Sequence, residues 1–135
     1  MRAATKTAGL ILALAAAALA QGLGSFNFIG PASRVITPTA ANGQNSIFFF
    51  CIDNPALSGA TIEIYSLLGR TVYSNTYTIP PAPAVGSVCA MKQATTPEYL
   101  SWDGTSSGLL VHSGIYIYRI QAEGKTYTGT LMVVR

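Results

Sequence analysis

Hydrophobic and polar positions form three kinds of run along this chain. The first is a continuous apolar stretch, Ala8–Ala20, preceded by Arg2 and Lys6. At about 13 residues it is shorter than the roughly 20 that cross a bilayer. With its basic start and the small-x-small site Ala18-Leu19-Ala20, it predicts a helical signal peptide over 1–20, cut between Ala20 and Gln21. The second kind is strict alternation. In Thr61–Tyr65, Ile62 and Ile64 point one way and Thr61, Glu63 and Tyr65 the other, which predicts a half-buried strand. Ile115–Ile120 alternates too, and so does Lys125–Val134, with Tyr127, Gly129, Leu131 and Val133 on one face. The third kind is Ser46–Ile52, apolar at every position after the serine. It predicts a strand buried on both faces, Ile47, Phe49 and Cys51 on one and Phe48, Phe50 and Ile52 on the other.

Turn residues separate these runs. Arg34–Thr37 predicts a short strand stopped by Pro38, and Asn42-Gly43 is the strongest turn signal before Ser46. Gly69 supplies a positive φ between Thr61–Tyr65 and Arg70–Tyr77, predicting a hairpin. The prolines of Ile79–Pro83 exclude a central strand. Ser87–Lys92 predicts a short strand within an irregular connection. Tyr99–Trp102 predicts another, closed by Asp103-Gly104, and Ser113-Gly114 leads into the next. Glu123-Gly124 joins the last two strands as a hairpin. No helical period follows residue 20. Seven or eight short strands of this kind predict an all-β antiparallel sandwich. Gln21–Ala32 has no period and reads as an extended lead-in, 21–33, before a domain over 34–135.

Composition narrows the function. Half of the 135 residues are hydrophobic and 10% are charged, which excludes a disordered charged tail. Removing residues 1–20 leaves six basic and five acidic residues, a net charge of +1 in place of +3. The six are scattered, so no nucleic-acid surface is expected. No stable membrane span is expected after cleavage. One His and two Cys cannot complete a zinc cluster without carboxylates, and no metal or other cofactor is expected.

Candidate chemistry is thin. His112 would need Ser113 or another serine, with Asp53 or Asp103 behind it, to form a triad, and no G-x-S-x-G elbow exists. An exposed turn histidine is the expected reading. Asp103 is explained by turn chemistry, and five scattered acids do not make a glycosidase pair. The chain therefore reads as no enzyme. Trp102 ends an apolar strand and is expected as a core anchor, with Asp103 and Gly104 turning the chain beside it. Tyr116 and Tyr118 share one strand face, and their rings are expected to cover core, not to stack ligands. An even cysteine count in a small exported domain predicts a Cys51–Cys89 disulfide, with two independent buried thiols as the alternative.

An ordered set of segments carries a family resemblance: Asp53-Asn-Pro55, Ile62–Val72, Leu100–Gly104, Ser113–Arg119 and Gly129–Arg135. Together they resemble the immunoglobulin-like (Ig-like) domain of the flagellar hook-capping protein, the FlgD type. They are also similar to C-terminal sorting domains of type IX secretion and to gliding-motility-associated C-terminal domains. The match spans about residues 34–135. It implies an Ig-like sandwich, an extracytoplasmic location and no catalysis. Relatives often carry a calcium-like acidic loop after Thr-Pro; here Thr39–Asn45 has no carboxylate, so calcium is not carried over. Thr78–Pro97 looks like an insertion. Sorting-type relatives follow a large passenger, and only about a dozen residues precede this domain.

The combined expectation is an exported bacterial protein of the periplasm, cell surface or medium. It would act in surface attachment or extracellular assembly, with a protein partner or further copies of itself. The alternatives are a stand-alone type IX sorting module recognised by the secretion machinery, and a small carbohydrate-binding module.

Overall fold

The computed structural model describes residues 24–39, 45–90, 92 and 94–135. The expected signal peptide, its expected Ala20/Gln21 cleavage site and the expected Asn42-Gly43 turn lie outside them. Ten strands and no helix make up the described chain: β1 (Asn27–Pro31), β2 (Val35–Ile36), β3 (Phe48–Asp53), β4 (Ala60–Ser66), β5 (Thr71–Tyr77), β6 (Pro97–Trp102), β7 (Thr105–Ser106), β8 (Leu109–Leu110), β9 (Gly114–Ala122) and β10 (Lys125–Val133). They form a three-stranded sheet, β1-β3-β6, a five-stranded sheet, β2-β10-β9-β4-β5, and the small β7-β8 hairpin. All pairings are antiparallel except β2 with β10, which is parallel.

The two large sheets pack face to face through their alternating apolar positions. Ile62 and Ile64 of β4, Ile120 of β9, and Leu131 and Val133 of β10 meet Phe48, Phe50, Ile52, Leu100 and Trp102 of the smaller sheet. The ring of Trp102 stacks on Phe48 at 5.8 Å, and Tyr116 presents an edge to it at 5.6 Å. The turn after Trp102 is tied down locally. The Trp102 indole Nε1–H donates to the Thr105 carbonyl at 2.9 Å, and Asp103 Oδ1 accepts from the Thr105 backbone N–H at 3.0 Å. Gly104 takes φ +78° there, and a Cβ would come within 2.9 Å of the Pro38 ring, so this turn requires glycine twice over. At the last hairpin Glu123 and Gly124 both have positive φ, the geometry of a tight two-residue turn.

Three sequence expectations need correcting. Residues 24–33 are not a lead-in: β1 pairs with β3, and Phe26 is buried in the core beside Tyr127. A strand at a sheet edge with a bulge between Phe28 and Gly30 shows no clean period, so the pattern hid it. The expected strand at Ser87–Lys92 is absent among the described residues, where Ser87 lies in a bend and Val88–Ala90 in a turn. The sandwich is not wholly antiparallel, because β2 lies parallel to β10.

Candidate contact surface

The disulfide organises the outside of the three-stranded sheet. Cys51 lies on β3 facing away from the core, and it is bonded to Cys89 across a separation of 38 residues. That bond holds the stretch before Cys89, residues 83–88, against Phe49 of β3 and Tyr99 of β6. Two further ties run along the connection. The backbone N–H of Tyr99 donates to the Pro81 carbonyl at 3.0 Å, and Asn54 N–H donates to the Thr96 carbonyl at 2.9 Å. The loop covers Cys51 completely but not the residues beside it. Ile47 remains 39% exposed and Phe49 38%.

The sequence places Ile47, Phe49 and Cys51 on one buried face; only Cys51 is buried. Phe49 packs edge-on against Tyr99 at 5.4 Å. Together with Pro83, Ala84, Ser87 and Val88, these rings line an open, almost wholly apolar cavity of about 440 Å³. A second depression lies on the far side of Phe49, bounded by Ala32, Ile47 and Val88. Ile47, Phe49 and Val88 thus form an exposed apolar patch beside the disulfide-held loop. Val88, Pro83 and Tyr99 were not singled out from sequence. The only signal for them was the doubly apolar run Ser46–Ile52 together with the cysteine-bearing insertion.

The opposite outer face, on the five-stranded sheet, carries a polar cluster on β4 and β9, in which Arg119 Nε has no hydrogen-bond partner among the described residues. It also carries an exposed apolar group, Val35, Met132 and Ile115, toward the β2 edge. Arg119 Nη2 pairs with Glu63 Oε1 at 2.9 Å, and its guanidinium lies over the Tyr65 ring at 5.4 Å. The Tyr65 hydroxyl donates to the same carboxylate. That hydrogen bond, and then Arg119, hold the Glu63 carboxyl below its ordinary range, and the Tyr65 phenol is raised in return. Thr61 and Thr76 hydroxyls meet at 3.1 Å.

The remaining sequence-selected residues serve the frame. Trp102 is 1% exposed. Tyr116 and Tyr118 are buried on the inner face of β9, and burial raises both phenols. The Tyr116 hydroxyl donates to the His112 carbonyl at 2.7 Å. Gly69 makes the β4–β5 turn with φ +83° and Gly114 opens β9. The His112 side chain is exposed, and Asp53 and Asp103 are engaged with the backbone N–H groups of Thr96 and Thr105. A buried polar knot sits at the end of β6. Asn54 donates to Glu98 at 2.6 Å and to the Ser58 carbonyl, and it accepts from the Ser58 N–H. Burial pushes the Glu98 carboxyl up, against the opposing effect of that Asn54 hydrogen bond.

No helix among the described residues is long and apolar enough to cross a membrane. The disulfide fits an oxidising compartment outside the cytoplasm. No family model and no curated protein matches the chain.

Proposed function

We propose that this chain is an exported, non-catalytic Ig-like domain of the FlgD type that holds another protein surface, in cell-surface attachment or extracellular assembly. The observation that carries the reading is the apolar face around Phe49. The sequence spends large hydrophobic residues on a sheet face that its own loop covers only in part, and water is a poor neighbour for them. A protein surface can finish that burial. The Ig-like assignment draws support from two features. Tyr116, near the start of β9, bonds back to the backbone four residues upstream in the manner of a tyrosine corner. The sheet orders β1-β3-β6 and β2-β10-β9-β4-β5 match a sandwich whose first strand is shared between the two sheets.

The test is retention at the cell. The exported chain and a Phe49→Ser/Val88→Ser double variant would be produced in the organism that carries the gene, and cell-bound and released fractions compared. The variant is expected to move into the released fraction while melting close to the parent. Equal retention of both proteins would remove the apolar face as the attachment surface.

A further inference from the structure

A sandwich presents four sheet edges, and three of them are blunted here. Strand β1 carries a bulge between Phe28 and Gly30 and ends in Pro31. Strand β2 is two residues long and is flanked by Arg34 and Pro38. On β6, the N–H of Tyr99 is taken by the Pro81 carbonyl, and the N–H of Ser101 by the Tyr77 hydroxyl at 3.4 Å. Bulges, proline, shortness and covering loops are the devices by which sheets avoid unwanted pairing.

The fourth edge, β5, has no ladder partner on its outer side, although the β7–β8 hairpin lies near its Val72 end. It runs for seven residues, Thr71–Tyr77, with no charge and no proline. Among the described residues its backbone bonds to β4 alone, so alternate N–H and C=O groups along its outer side face away from the fold. Its one irregularity is Val72, the extra residue opposite the Ile64/Tyr65 step. The straight part is therefore Tyr73–Tyr77.

That part reads nearly the same in both directions: Tyr73, Ser74, Asn75, Thr76, Tyr77. We propose that β5 pairs antiparallel with the β5 of a second copy of this chain, about a two-fold axis through Asn75. The proposal names a partner for the assembly reading above and rests on it. In this register Tyr73 lies opposite the partner copy's Tyr77, and Ser74 opposite its Thr76. The tyrosines stay packed on their own cores, Tyr73 against Trp102 and Tyr77 with its hydroxyl on Ser101. The outward Ser74–Thr76 hydroxyl pair is a favourable cross-strand combination, and no charge meets a like charge anywhere along the seam. The two five-stranded sheets become one continuous sheet. A two-fold contact consumes both open edges and closes the assembly at two copies, with no edge left for fibre growth. The seam is short and mostly polar, so the dimer belongs with small, reversible interfaces.

The wild-type chain, recovered from an exporting host, is followed by sedimentation velocity from roughly 1 µM to roughly 1 mM. It is expected to pass from monomer to dimer in this range. Asn75→Lys and Asn75→Glu each place like charges on the axis, and each should weaken association about tenfold or more. An equimolar mixture of the two should associate at least as well as the wild type, a rescue that misfolded variants cannot give. Amide exchange of the wild type, which needs no variant, should slow at Tyr73–Tyr77 as concentration rises. A wild type that stays monomeric at the highest concentration overturns the proposal. So does an Asn75→Lys chain that dimerises like the parent, or concentration-dependent protection located around Phe49 instead of β5. A monomeric chain still released from cells by the Phe49/Val88 substitutions would end self-pairing and leave the attachment reading standing. A β5 dimer insensitive to those substitutions at the cell would do the reverse.

Discussion

The two outer faces of the sandwich make different use of the same strand geometry. On the five-stranded sheet the outward positions around β4 are Thr61, Glu63 and Tyr65 of β4 and Arg119 of β9, which bond to one another or to Thr76 of β5. Toward the β2 edge Val35, Met132 and Ile115 lie side by side and exposed. On the three-stranded sheet the outward positions of β3 are Phe49 and Cys51, and the neighbouring positions are Tyr99 and Val88. The first face divides into a polar part around β4 and an exposed apolar part at the β2 edge. The other is complete only where the disulfide-held loop lies on it. Sheets are often wet on one side and dry on the other; here the dry inner layer is shared, and a second, partly covered apolar layer lies outside the smaller sheet.

The comparison can be broken in several places. Trp102 belongs to the inner layer on which both faces depend. Trp102→Ala should cost about 3–5 kcal/mol in denaturant unfolding and weaken both sheets together. Opening the disulfide should separate them. A Cys51→Ser/Cys89→Ser chain is expected to lose up to about 4 kcal/mol of global stability by loop entropy. Its faster amide exchange should be confined to the connection 78–96 and the strands beneath it, with β9 and β10 changed least. Uniform loosening of all strands would show that the loop belongs to the common core.

Glu98 gives a smaller, pH-dependent effect. Its folded pKa is raised by burial, so the native state favours the neutral acid. The stability it contributes is present below the unfolded pKa and is lost as pH rises through the folded one. Glu98→Gln keeps an acceptor for Asn54 and removes the charge. It should melt higher than the parent at pH 7 and equal to it near pH 4, and a gap unchanged between those pH values would contradict the cause given. The smallest effect is expected in the polar part around β4. A double-mutant cycle on Glu63 and Arg119 should return only a weak coupling, shrinking with added salt. A larger, salt-insensitive coupling would mean that this part is more than a solvated one.

Local chemistry determined most of the frame. Period-two alternation placed β4, β9 and β10, and Gly69 and Glu123-Gly124 placed two of their turns, because a strand's inside and outside are written in adjacent residues. Two cysteines in a small domain with an export-like start were enough to predict the bond that the structure contains. Other features were decided only by tertiary structure. Gly129 looks like a weak point in β10, yet a Cβ there would run into the ring of Tyr118 on β9, which fills the place of the missing side chain. Phe26 and β1 joined the core through partners about a hundred residues away, Lys125 and Tyr127, and no local period records such contacts. The same holds for the Phe49 face and the β5 edge. A strand's sequence states which side chains lie on each face, but what lies over a face or beside an edge depends on where distant segments come to rest.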